Sequence, residues 1–188
     1  MGLFGRSRGP QAAVSGTVTV GGRGAGGQVL RFDGETGSRG ASTTIRPESA
    51  FAARIPAGGS KVRLVWKSLR FPEETVLEAG SIRVEGGESK TLSLEVPAGT
   101  LNGRVRREPG GPGAAEVTVR VEFTGPDGPT GHATRVTGSD GTFQVRPAPV
   151  GTACVIVDGA RLAEVSVTAG GTAKVEAALE AASPAPPA

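Results

Sequence analysis

Several short constellations in this chain hold residue types capable of chemistry. His132, Ser139 and Asp140 supply the imidazole, hydroxyl and carboxylate of a nucleophilic triad, which works only when the acid orients the base beside the hydroxyl. All three fall in or beside one polar loop with nothing periodic to orient them, so they read as loop residues. Glu73-Glu74 and the pair Glu85 and Glu88 offer neighbouring carboxylates. Adjacent strand residues point to opposite faces, so Glu73 and Glu74 converge only in a turn, and solvated charges are the better reading. Gly22-Arg23-Gly24 resembles part of a phosphate-cradling loop but lacks the Lys-Ser/Thr ending and a following helix, which favours a hairpin loop. His132 and Cys154 are the single histidine and cysteine, a poor start for a metal site needing three or four ligands. No catalytic, cofactor-binding or metal residue is assigned, and the expected function is non-enzymatic.

The elements that carry these residues are strands. The chain of 188 residues holds 31 Gly and 14 Pro, spread between short apolar runs, which favours many turns over disorder. Apolar and polar residues alternate along most of the chain, and no window sustains helical spacing. The same order of residues occurs twice. Val14-Ser15-Gly16-Thr17-Val18, Phe32, Phe51, Pro56-Ala57-Gly58 and Ile82-Arg83-Val84 with Gly86-Gly87 are answered by Leu101-Asn102-Gly103-Arg104-Val105, Phe123, Phe143, Pro149-Val150-Gly151 and Val165-Ser166-Val167 with Gly170-Gly171. Offsets of 87, 92 and 84 between the first glycines, the later phenylalanines and the last glycines indicate two copies of one small domain. The expected fold is all-β: two tandem antiparallel β-sandwich domains of about seven strands each, with flexible termini. The boundaries read as a flexible segment at 1–12, domain 1 at 13–98, domain 2 at 99–180, and an Ala/Pro-rich disordered tail at 181–188.

Within domain 1 the first strand is expected from Val14 to Val20, the run Gly21 to Gly27 turns the chain, Leu30 and Phe32 face inward, and Ile45 begins another element. Phe51, Ala53 and Ile55 alternate before the turn Pro56-Ala57-Gly58; beyond it Val62, Leu64 and Trp66 share an apolar face, which places the sole tryptophan in the core. Domain 1 carries extra residues around Ser68 to Gly80, read as an added edge strand or a surface loop. In domain 2, Ser139-Asp140-Gly141 and Asp158-Gly159 are hairpin signals. Ala153, Val155 and Val157 take the inward face of their strand, leaving Cys154 and Ile156 outward. A strand apolar on both faces is usually covered on both, here by domain 1, a second subunit or an adjacent loop.

A first-strand Gly, a turn before a buried Phe, a Pro-x-Gly turn before an apolar strand and a closing Val-x-Val with Gly-Gly resemble the carboxypeptidase regulatory-like domain, over 13–98 and again over 99–180. Domain 2 is the clearer copy, since domain 1 has Pro47-Glu48-Ser49-Ala50 where domain 2 has its Asp-Gly turn. The resemblance implies a seven-stranded sandwich of transthyretin-like or prealbumin-like type, Ig-like in outline, usually an accessory or adhesive module. Enzymes on related sandwiches, the intradiol dioxygenases and hydroxyisourate hydrolases, rely on tyrosines and several histidines, whereas this chain has no Tyr. The related collagen-adhesin B-type repeats imply a Lys–Asn isopeptide crosslink, and Asn102 and Lys174 stand in the reverse of the usual order.

Net charge is +3. Residues 13–98 hold 11 basic and 9 acidic side chains and residues 99–180 hold 8 and 9, too balanced for counterion release to drive nucleic-acid binding. No run reaches the length of a membrane span, and the N-terminus lacks an apolar signal stretch. Arg6 stands where a myristoylation signal needs Ser or Thr. The chain as written is expected to be cytoplasmic, and an upstream segment would make it extracytoplasmic. The expected role is a structural, spacer or protein-interaction module with a protein partner, the alternative being carbohydrate binding of starch-binding-like type. No cofactor is expected, and the oligomeric state is left open.

Overall fold

The computed structural model describes residues 9–35, 40–68 and 72–179. Among these residues the chain is all-β, with fifteen strands and no helix. Residues 1–8 of the expected flexible segment, 69–71 of the extension and the tail 181–188 lie outside the described residues. Packing divides the described residues into two compact units, one drawn from within 1–65 and 78–96 and the other from within 66–77 and 97–179.

The first unit has two sheets. In one, β1 (Gln11–Val20) lies between β5 (Ala50–Pro56), antiparallel to it, and β8 (Ser89–Val96), parallel to it. The two-residue β2 (Arg23–Gly24) returns on the end of β1 through Gly21-Gly22 at φ 54° and 74°. Both central residues have the positive φ that a tight two-residue hairpin requires, so the Gly-rich run does form a hairpin. The other sheet runs in the order β7, β6, β3, β4, built from Glu78–Val84 of β7 (Glu74–Val84), β6 (Gly58–Lys67), β3 (Val29–Gly34) and β4 (Ala41–Thr44). Val14 and Val18 from the first sheet and Leu30, Phe32 and Leu64 from the second are fully buried, and the rings of Phe32 and Phe51 meet at 6.2 Å with a 44° tilt. Two expectations shift. β1 starts at Gln11, because Ala12 is buried opposite Ile55, and Ile45 follows β4 instead of opening a new strand.

The second unit follows the same plan. β9 (Ala98–Arg106) is central, with β12 (Thr142–Pro149) antiparallel and β15 (Thr172–Ala178) parallel to it. The facing sheet is ordered β14 (Ala160–Val167), β13 (Gly151–Val157), β10 (Thr118–Gly125), β11 (Gly128–Val136). One core draws on both sheets: Leu101 and Val105 from β9 and Val145 from β12 meet Val121 and Phe123 from β10 and Val155 from β13. Asp158-Gly159, at φ 49° and 82°, joins Val157 to Ala160 as the expected two-residue hairpin.

The glycines of the two central strands have a physical reason. Gly16 lies opposite Phe51 and Leu92, and Gly103 lies opposite Phe143 and Val175. A Cβ at Gly103 would enter the Phe143 ring, and one at Gly16 would meet the Leu92 backbone carbonyl. Each unit thus pairs a bare backbone with a cross-strand aromatic.

Ser139-Asp140-Gly141 is a tight turn but not a hairpin. It leads from β11 to β12, which lie in different sheets of the unit. The turn chemistry was readable, whereas the choice of partner strand is set by packing. The extension resolves as a strand: Glu74–Leu77, the start of β7, belongs to the second unit and runs antiparallel to β11 from Leu77 opposite Gly131 to Glu74 opposite Thr134.

Candidate functional site

The most densely bonded polar side chain described is that of Arg135. On β11 it stands in phase with Ala133 and Thr137, all three buried, so the strand's own alternation drives a guanidinium inward. Burying a charge is costly without partners, and Arg135 has four. Its Nε donates to the Gln144 carbonyl, one terminal nitrogen donates to the carbonyls of Glu74 and Thr134, and the other donates to Thr75 Oγ1, each at 2.7 Å. One side chain therefore ties β7, β11 and β12 together. Burial lowers the pKa of the guanidinium from its ordinary value, and the nearby Glu73 carboxylate opposes that shift.

Beside it lies a groove of about 550 Å³ bordered by Glu73, Asn102, Thr142, Phe143 and Gln144. A smaller recess of about 200 Å³ is bordered by Trp66, Glu73, Arg135, Gln144 and Arg146. Glu73 accepts from Ser68 Oγ at 3.1 Å and from the Val136 amide at 3.3 Å. It is half-buried and engaged, not the solvated charge expected of the Glu73-Glu74 pair. Trp66 is also displaced from expectation: it is half-buried at the recess, while Val65 beside it is fully buried. The chain passes from the first unit to the second between these two residues, which breaks the alternation that placed Trp66 in a core. The groove has the donors and acceptors to hold a polar ligand, but its guanidinium already meets four acceptors and its carboxylate meets two donors.

The remaining sequence candidates are dispersed. Asp140 Oδ1 accepts from Thr142 Oγ1 at 2.6 Å and from the Thr142 amide at 3.1 Å, bonds that hold its pKa below the usual aspartate value. Its carboxylate is a turn cap. His132 lies on β11 between Val76 and Glu122 in register, so strand pairing, not Asp140 or Ser139, sets its neighbours. Glu88 accepts from the Glu85 amide at 2.7 Å, another turn contact. Asn102 and Lys174 are direct partners on parallel β9 and β15. Asn102 Oδ1 accepts from Gln144 Nε2 at 2.9 Å and Lys174 is exposed, so water competes for the amine. Cys154, buried, lies between Glu122 and Glu164 across the outer face of β13. Burial raises its thiol pKa; Arg161 opposes this and the two carboxylates add to it. Among the described residues no group of three or more His, Cys, Asp or Glu is placed to hold a metal ion.

Sequence reading missed Arg135. The available signal was phase: a charged residue two positions after inward Ala133, on a strand with apolar residues facing its partner.

No family model and no curated protein matches this chain. Among solved structures it is similar to the TIE protein of Bacillus anthracis, at 8% identity and a TM-score of 0.31, covering 90% of this chain and 34% of that one. A leucine-rich repeat protein from Bacteroides thetaiotaomicron gives 13% identity and a TM-score of 0.34, covering 90% and 26%. The minor pilin of Streptococcus agalactiae gives 12% identity and a TM-score of 0.38, covering 95% and 99%. The chain thus spans about a third and about a quarter of the length of the first two.

Proposed function

We propose that this chain is a non-catalytic tandem pair of β-sandwich modules of carboxypeptidase regulatory-like type, residues 13–98 and 99–180, acting as a structural, spacer or protein-interaction module. The arrangement around Arg135 carries the reading. The charged side chain that alternation drives inward is satisfied entirely by neutral groups on three strands of its own unit. A catalytic group must instead be presented to a reacting atom with a proton or lone pair to exchange. Matching strand orders and matching Gly–Phe register in the two units support the duplication.

Carbohydrate binding stays as a second reading because of Trp66, half-buried beside Gln144 and Arg146 in a polar recess. An aromatic face next to amide and guanidinium donors suits a sugar ring. Affinity capture with the intact chain from its native lysate, read by mass spectrometry beside a glycan array, separates the two. A specific, stoichiometric protein partner is the expected result. Saturable glycan binding that Trp66→Ala abolishes without unfolding the chain would replace the module reading.

A further inference from the structure

The two units differ at one sheet edge, and the difference points to a docking site. In the second unit β11 is followed in its sheet by Glu74–Leu77, so Val76 faces His132 and Glu74 faces Thr134. In the first unit β4 holds the place of β11: Leu30 faces Thr43 as Val121 faces Ala133, and Phe32 faces Ala41 as Phe123 faces Gly131. Ser42 and Thr44 therefore correspond to His132 and Thr134. Among the described residues β4 pairs only with β3. The Ile45 amide bonds to the Gln28 carbonyl at 2.8 Å, and since inward-bonded residues alternate along an antiparallel edge, the N–H and C=O groups of Ser42 and Thr44 point away from β3. Both residues are exposed. On two other edge strands a carbonyl is already engaged from within the unit: Thr43 Oγ1 donates to the Ala52 carbonyl of β5 at 2.9 Å, and Arg135 donates to the Gln144 carbonyl of β12.

Resting on the protein-interaction reading, we propose that the β4 edge is a strand-addition site for an extended segment of a partner protein, pairing with Ser42 and Thr44 as Glu74–Leu77 pairs with β11. The chemistry of the segment follows from the strand that fills the matching edge. Thr75, Val76 and Leu77 are all buried there and Glu74 is half-buried, so the segment carries a short run of β-branched or aliphatic residues. Main-chain hydrogen bonds supply affinity, and the side chains supply selectivity.

The probe is a synthetic peptide with the sequence of residues 72–78, Pro-Glu-Glu-Thr-Val-Leu-Glu, blocked at both ends and added at millimolar concentration to the isotope-labelled full chain. The expected result is a shift of the Ser42 and Thr44 amide resonances with at least tenfold slower hydrogen exchange at both. Ser42→Pro and Thr44→Pro each remove an outward N–H that β3 does not use, a position where edge strands tolerate proline, and each is expected to abolish the shift while other resonances of the unit stay in place. Unchanged Ser42 and Thr44 amides up to the solubility limit would overturn the proposal, as would shifts surviving in both proline variants. Protection of these amides that grows with chain concentration alone would overturn it in favour of a second copy. Failure here alongside a captured protein partner removes the edge and leaves the module reading intact; absence of any captured protein removes the reading itself.

Discussion

Arg135 and Ile45 show how one strand position accepts opposite chemistry. Each stands two residues beyond the strand residue that faces Val121 or Leu30, and both are buried. The first unit fills the place with hydrocarbon and lets Thr43 bond the edge carbonyl of Ala52, whereas the second inserts a guanidinium that bonds Gln144. Arg135→Ala would strip hydrogen bonds from the Gln144 and Glu74 carbonyls and from Thr75 Oγ1 and open a cavity. A stability loss of about 2–4 kcal/mol is expected, read as a lower denaturant midpoint at unchanged slope. Arg135→Met, which keeps most of the volume, is expected to lose less. Cys154 gives a second check. Because burial and flanking carboxylates disfavour the thiolate, a thiol reagent at pH 8 is expected to label the folded chain at least tenfold more slowly than the unfolded one; equal rates would show Cys154 to be open. Phase was the one signal of Arg135 in the sequence, and the sequence reading did not use it. The acceptors of the guanidinium were illegible, since Glu74 and Thr75 lie some sixty residues away and their strand is brought there by tertiary pairing.

At the level of elements, alternation located the strands and local turn chemistry located the turns, but neither named the strand on the far side. Asp158-Gly159 made its hairpin because β13 and β14 are neighbours in one sheet, and Ser139-Asp140-Gly141 did not because β11 and β12 belong to different ones. That turn nevertheless has a pH signature. Its Asp140 pKa is lowered first by the Thr142 hydroxyl and then by the Thr142 amide. A carboxylate whose folded pKa lies below its unfolded value stabilises the fold above the unfolded value and loses that contribution as pH falls through the folded one, here below about pH 4. Asp140→Asn is therefore expected to flatten the fall in Tm on acidification below pH 4, with the wild-type chain the more stable near neutrality. The central-strand glycines make a paired test. Gly103→Ala must displace the Phe143 ring, and Gly16→Ala, at a glycine with φ 155°, must displace the Leu92 backbone. A loss of about 1–3 kcal/mol is expected for Gly103→Ala, and a larger one for Gly16→Ala because backbone yields less readily than a ring. Equal losses in thermal or denaturant unfolding would contradict that ranking.

For the molecule as a whole, the most legible features were those the architecture constrains: a glycine under a cross-strand aromatic, and the Pro-x-Gly and Gly-Gly turns that carry the chain from one sheet to another. The segment that breaks the repeat was legible only as an insertion. Its length showed that domain 1 had something extra, but Glu74–Leu77 belongs to the other unit and pairs there with β11, and nothing local to Thr75 or Leu77 names β11 as the partner. The central claim is a pair of β-sandwiches, each held by its own two-sheet core around a central strand bonded on both sides. Residue-resolved native hydrogen exchange tests it most directly. The account expects two separate sets of strongly protected amides, one centred on β1 with β5 and β8 and one on β9 with β12 and β15. Strong protection confined to one set, with the other exchanging as fast as an unfolded chain, would contradict it.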